Sequence, residues 1–125
     1  MSEVRERPKR IQRKRTKGWK MPESAMYVGR PTKYGNPYSV SIFGLELALK
    51  LFRDTAYGFW TPSNVSDLPD ETAKLAYELH RDWRKKFSHH PVDIIHLELG
   101  NADLACWCKL GEPCHADVLL EIANS

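Results

Sequence analysis

The sequence predicts an α/β fold: a single small domain with a mostly parallel sheet of three to four strands, flanked by helices. Short β-prone runs alternate along the chain with apolar residues at helical spacing, as in strands joined by crossover helices. With 125 residues the chain can bury one core without needing disulfides or a metal to fold. No internal repeat or linker divides it. The expected organisation is a disordered basic leader over residues 1–9 and a single α/β domain over residues 10–125.

The elements follow in order. "RIQRKRT" has the partial alternation of an exposed strand. "AMYVGRP", residues 25–31, reads as a strand with Met26 and Val28 on one side, ended by Gly29 and Pro31. In "PTKYGNPYS" the consecutive turn formers Gly35, Asn36 and Pro37 impose a loop. Over residues 44–57, Leu45, Ala48, Leu49, Phe52 and Ala56 mark one helical face, and Gly58 and Pro62 stop it. A second helix begins near Pro69, with Asp67 as cap, Asp70 and Glu71 suited to the helix dipole, and a core stripe of Leu75, Leu79, Trp83 and Phe87. Residues 91–99 suit either a strand or a short helix ending at Gly100. "DLACWC" reads as a buried strand. "PCHADVLLEIA" reads as a terminal helix with Pro113 in its first turn and Val118, Leu119 and Ile122 facing inward.

Composition narrows the setting. No run of about 18 apolar residues is present, which argues against a membrane span, and no signal core follows the charged N-terminus. A cytoplasmic protein is expected. There, three cysteines point to free thiols, a metal site or catalysis rather than disulfides, and the Asn-Val-Ser triplet at Asn64 is not a glycosylation site. The net charge of +3 conceals an asymmetry. Residues 1–20 hold nine Lys/Arg against Glu3 and Glu6, a local +7, which leaves −4 for the remainder. Such a segment is either a phosphate-binding arm or a solvated leader.

All three cysteines fall in "CWCKLGEPCH", residues 106–115. Strand alternation puts Cys106 and Cys108 on one side, and the "KLGEP" turn returns Cys114 and His115, so that a zinc cage of Cys106, Cys108, Cys114 and His115 is one reading. A single residue between Cys106 and Cys108 argues against it, as does the divergence of adjacent helical side chains by about 100° at Cys114 and His115. In the other reading, helix N–H groups poise the Cys114 thiol or bind a substrate phosphate, with His115 as acid or base and Asp117 as an orienting carboxylate, while Cys106 is a buried small hydrophobe. The H-x-E…P-C-x-x-C pattern of zinc deaminases is approached at His96, Glu98, Pro113 and Cys114, but Asp117 stands where the last cysteine belongs. In a parallel sheet both strand-to-helix loops emerge at one edge. Arg30, Lys33, Tyr34, Asn36 and Tyr38 are thus expected to face Cys108, Cys114, His115 and Asp117, with the cations on an anionic group and a tyrosine on a base or sugar.

"RTKGWKMP", "YVGRPTKYGNPYSV" and "DLACWCKLGEPCHADVLLEIAN" together resemble the phage and bacterial domain-of-unknown-function family 4326, from about Ile11 to Asn124. The family pattern falls on Lys17, Trp19, Pro22, Gly29, Arg30, Pro31, Lys33, Gly35, Asn36, Pro37, Cys106, Cys108, Pro113, Cys114, His115 and Asp117, which adds Lys17 and Trp19 to the candidate ligand-binding residues. The resemblance implies no established activity. "LACWCKLGEPCH" is more weakly similar to the family of unknown function 488, whose spacing fits Cys106, Cys114 and His115 but not Cys108. The expected function is binding of a nucleotide or nucleic acid at the two-loop edge, with or without chemistry on the bound group and without a cofactor. The alternative is a noncatalytic zinc-containing nucleic-acid-binding module.

Overall fold

Three strands, β1 (Arg10–Gln12), β2 (Ala25–Tyr27) and β3 (Asp103–Cys106), form one sheet in the order β1-β3-β2, with both pairs parallel. The computed structural model describes residues 8–30 and 32–124. Ile11 pairs with Ala105, and Met26 with Leu104. The last strand in sequence is therefore the central one, and its run Leu104, Ala105 and Cys106 is wholly buried, as expected for a strand paired on both edges. Beyond the outer strands, Arg13 N donates to Cys106 O (2.7 Å) and Val28 N to Ala105 O (3.0 Å), so both neighbours hold β3 to its end.

Five helices complete the described residues: α1 (Val40–Phe43), α2 (Leu45–Tyr57), α3 (Asp70–Lys85), α4 (Pro91–Leu99) and α5 (His115–Ala123), with a short 3-10 turn at Pro62–Val65. Gly44, at φ 80°, joins α1 to α2 in a conformation that glycine adopts freely. Leu51 and Phe52 of α2, Trp83 of α3, Ile95 and Leu99 of α4, and Leu119 and Ile122 of α5 close over Leu104, all nearly without exposure. The small α/β domain read from the sequence is the architecture found.

Several expectations need correction. Both outer strands are shorter than expected; β2 ends at Tyr27, so alternation fails there and leaves Met26 exposed while Val28 is buried. Residues 91–99 are helical, with Pro91 in the first turn and the helix stopped at Gly100. In α2 the buried face is Ala48, Leu51, Phe52, Thr55 and Ala56. Leu45 and Leu49 lie off it, because "LELALKLF" offers two overlapping stripes and packing against α4 and α5 selects the second. Asp67 does not cap α3: Pro69 occupies that position with no side-chain cap, while Asp70 and Glu71 fill the first turn as expected. Of the core stripe, Trp83 and Phe87 are buried and Leu75 and Leu79 half-buried. β3 stops at Cys106, two residues short, and α5 begins at His115 with Cys114 as its N-cap, so Pro113 precedes the helix. Of the expected leader, residues 1–7 lie outside the described residues, whereas Lys9 N donates to Asp103 Oδ1 (2.9 Å) and Lys9 O accepts from Leu104 N.

Candidate functional site

Because β2 and β3 are parallel neighbours, the loops after them leave the same sheet edge, and Arg30 and His115 line one pocket. The first loop is braced by its own residues. Arg30 Nε and Nη2 donate to Asn36 O (2.9 and 2.7 Å), and Asn36 Oδ1 accepts from Tyr38 N (2.9 Å). At Gly29 a Cβ would lie 2.5 Å from the Tyr27 hydroxyl, which folds back to donate to Arg30 O (2.6 Å), so a larger residue there must displace that side chain.

The second loop hangs on Arg10, a residue that the sequence reading did not single out. Its side chain, 6% exposed, rises from β1 and donates from Nη2 to the carbonyls of Lys109 (2.8 Å) and Leu110 (2.7 Å), and from Nη1 to Asp117 Oδ2 (3.1 Å). Asp117 Oδ2 also accepts from Cys114 N (3.1 Å), completing a capping box with the Cys114 side chain. The Asp117 carboxylate thus braces the helix cap and Arg10 through Oδ2, and it does not line the pocket.

This bracing gathers the three thiols. The Sγ atoms of Cys106, Cys108 and Cys114 lie within 4.8 Å of one another, with Cys114 Sγ donating to Cys106 Sγ at 3.3 Å. All three are free. The hydrogen bond from Cys114 holds the Cys106 thiol below its ordinary pKa, whereas Cys114, donor in that bond and buried, is pushed up to about 11. Burial likewise lifts Cys108 to about 11. This runs against a poised Cys114 thiolate: the N–H group of Ala116 favours the Cys114 anion, but the bond to Cys106 and burial outweigh it.

His115 is buried, its ring edge-on to Phe52 at 5.5 Å. Its Nε2 lies 2.8 Å from Val28 O. A carbonyl can only accept, so Nε2 carries a proton, and in the neutral ring Nδ1 is left as acceptor, 3.5 Å from Cys114 Sγ. His115 nonetheless lies outside the group of mutually close sulfurs. Between the loops is a cavity of about 290 Å³, with Arg30, Asn36, Cys108, Cys114 and His115 on its polar side and Tyr38 as a wall. Leu45 and Leu49, the residues displaced from the core face of α2, form its apolar lip.

Other expected ligand residues lie elsewhere. Lys33 pairs with Glu98 on α4 (2.7 Å), and Tyr34, buried against Phe87, donates its hydroxyl to the same carboxylate. Together these contacts draw Glu98 below and Tyr34 well above their usual pKa ranges, the latter mainly through burial. The Tyr38 hydroxyl bonds Thr55 Oγ1 (2.7 Å), and its ring, nearly wholly buried and perpendicular to Phe43, offers little surface for stacking on a ligand. Lys17 and Trp19 are outside the cavity lining. The sequence reading also passed over a second surface feature. Trp107, 41% exposed, is flanked by the guanidinium groups of Arg13 (4.6 Å from the ring centroid) and Arg15 (4.8 Å), and Arg13 also covers Tyr27 (4.5 Å). Strand alternation, which turns Trp107 away from its two cysteine neighbours, was the available signal.

A search of the curated proteins finds no match, nor does a search of the solved structures. Among family models, the domain of unknown function DUF4326 matches residues 11–125, which supports the resemblance to family 4326 and not the weaker one to family 488. With nearly its whole length matched, the chain belongs to the DUF4326 family.

Proposed function

We propose that this domain binds nucleic acid or a nucleotide at the edge where its two loops meet, within a reducing compartment such as the cytoplasm, where three free thiols persist. The carrying observation is the exposed Trp107 with the guanidinium groups of Arg13 and Arg15 over its ring. An exposed indole beside two cations supplies stacking area for a base where a guanidinium gives way, and charges for the adjoining phosphates. Lys14, Lys17 and Lys109, all exposed, extend the positive charge. The cavity between the loops, with Arg30, Asn36 and His115, suits a single nucleotide group, and the carboxyl ends of parallel strands are where α/β domains take ligands. Among the described residues, no helix is long and apolar enough to cross a membrane.

The test is fluorescence anisotropy with short labelled single strands of DNA and RNA over a salt series. Binding should weaken with salt, by about 0.7 in log–log slope per phosphate contact. Trp107→Ala should cost about 1–3 kcal/mol of affinity, the range for loss of one stacked base, and Arg15→Ala should make the slope shallower. Removing residues 1–7 tests the leader without disturbing Arg10. Affinity indifferent to Trp107→Ala and Arg15→Ala would end this reading. A second reading, the noncatalytic zinc-containing nucleic-acid module, is favoured by the convergence of the three thiols.

A further inference from the structure

The geometry points to a zinc-class metal ion held by the Sγ atoms of Cys106, Cys108 and Cys114, with its fourth position open to the pocket beside His115. Three Zn–S bonds of about 2.3 Å in a tetrahedral arrangement separate their sulfurs by about 3.8 Å. The sulfurs here stand within 4.8 Å of one another, one pair at 3.3 Å, so small side-chain adjustments admit the ion. The single residue between Cys106 and Cys108, unfavourable along a continuing strand, ceases to matter because β3 ends at Cys106 and the chain bends. Backbone N–H groups are already directed at the sulfurs, from Cys108 to Cys106 and from Ala116 to Cys114, the outer-shell bonding that steadies metal thiolates. Arg10 fixes the carbonyls of the intervening loop, so the site is assembled before any ion arrives.

Soft thiolates select zinc over the hard cations, and three ligands with one vacancy are the donor count of a reactive rather than a closed zinc site. Cys108 and Cys114 line the pocket whereas Cys106 does not, so Cys106 closes the back and the vacancy faces the cavity. His115 stands outside the sulfur group, with Nδ1 turned towards Cys114 Sγ, as a neighbour to whatever water or ligand group occupies the fourth position. Zinc uptake releases to solvent the protons remaining on the three thiols, without oxidation. A metal here neither requires nor excludes a nucleic-acid partner, so each can fail alone.

The full chain, reduced and stripped of metal, is titrated with Co²⁺ and then Zn²⁺. One equivalent of cobalt should give thiolate charge-transfer bands and tetrahedral d–d bands, and zinc should displace it and shield all three thiols from alkylation. X-ray absorption of the zinc-loaded wild type should show three sulfurs and one light atom, a count that depends on no variant. Cys106→Ser, Cys108→Ser and Cys114→Ser should each weaken cobalt binding by at least about tenfold, with circular dichroism of the metal-free forms reporting whether they fold. His115→Gln should keep the stoichiometry and charge-transfer intensity, and added imidazole should shift the d–d bands. Absence of stoichiometric uptake by the wild type, or fewer than three sulfurs, overturns the site. A spectrum blind to imidazole, together with loss of a ligand in His115→Gln, overturns the open position.

Discussion

Replacing Arg10 with methionine removes the three hydrogen bonds that tie β1 to the cysteine loop and α5, while retaining much of the aliphatic stem. The size of the loss follows from what each partner can recover. Asp117 is 54% exposed, and water takes over most of that ion pair, leaving about 0–1 kcal/mol. The bonds to the Lys109 and Leu110 carbonyls come from a charged donor whose side chain is 6% exposed, a class worth about 1.5–3 kcal/mol each. Lys109 and Leu110 are themselves exposed, so water reaches their carbonyls in the variant and the loss lies near the lower end. The expected total is about 3–4 kcal/mol, or about 9–20 °C in Tm for a domain of this size. Arg10→Lys should recover less than half, since an ammonium cannot hold two carbonyls and a carboxylate through a planar fork. Urea unfolding of the reduced, metal-free chain measures the loss, and alkylation rates at Cys108 and Cys114 should rise with it. A loss below about 0.5 kcal/mol, full recovery in Arg10→Lys, or thiol reactivity unchanged in a destabilised variant would refute the clamp.

Phe52→Ala should cost about 3–5 kcal/mol in urea unfolding, because the ring is wholly buried against Trp83 and His115 and its loss leaves a cavity; a loss under about 1.5 kcal/mol would show that the site relaxes. His80 has its pKa held below the ordinary value by burial and by the Arg84 charge. The unfolded chain therefore takes a proton near pH 6.5 that the folded chain declines, so stability is complete above about 6.5 and falls as pH drops towards the folded pKa. His80→Gln should flatten that part of the Tm-against-pH profile, and an equal slope in wild type and variant would assign the loss to other groups.

The fold was legible where a pattern had one solution. "LAC" within "DLACWC" is apolar on both faces, as suits a strand paired on both edges, and β3 is central. It was less legible where two stripes overlapped, as with Leu45 and Leu49 against Leu51 and Thr55, since only packing chooses between them. At the candidate site, Arg30, Asn36, Tyr38, Cys108, Cys114 and His115 lie together as expected because strand order alone brings their loops to one edge. Lys33 and Tyr34 stand apart from the cavity because they bond Glu98, which comes from a segment whose helical state its sequence leaves undecided. Arg10 escaped because it looks like one more charge in a basic run. Only the register of β1 on β3 reveals that it points at a loop about a hundred residues away.

That same register decides how the two loops are coupled. The bond from His115 Nε2 to Val28 O joins the first residue of α5 to the first residue beyond β2, and both are anchored to β3, one by packing and one by its own bond to Ala105. Phe52 of α2 holds the imidazole from the side. The orientation of His115 thus depends on a main-chain carbonyl and on core packing, not on any side chain of the first loop. Arg30 and Asn36 are bonded to each other and to the α2 start instead, with Asn36 Nδ2 reaching Ala48 O at 3.4 Å. Change in the first loop therefore reshapes the pocket wall that a ligand meets, whereas the thiols, Arg10 and His115 keep their places. Such a division lets one chemical centre serve different ligands as the loop varies, which suits a binding edge built on so short a sheet.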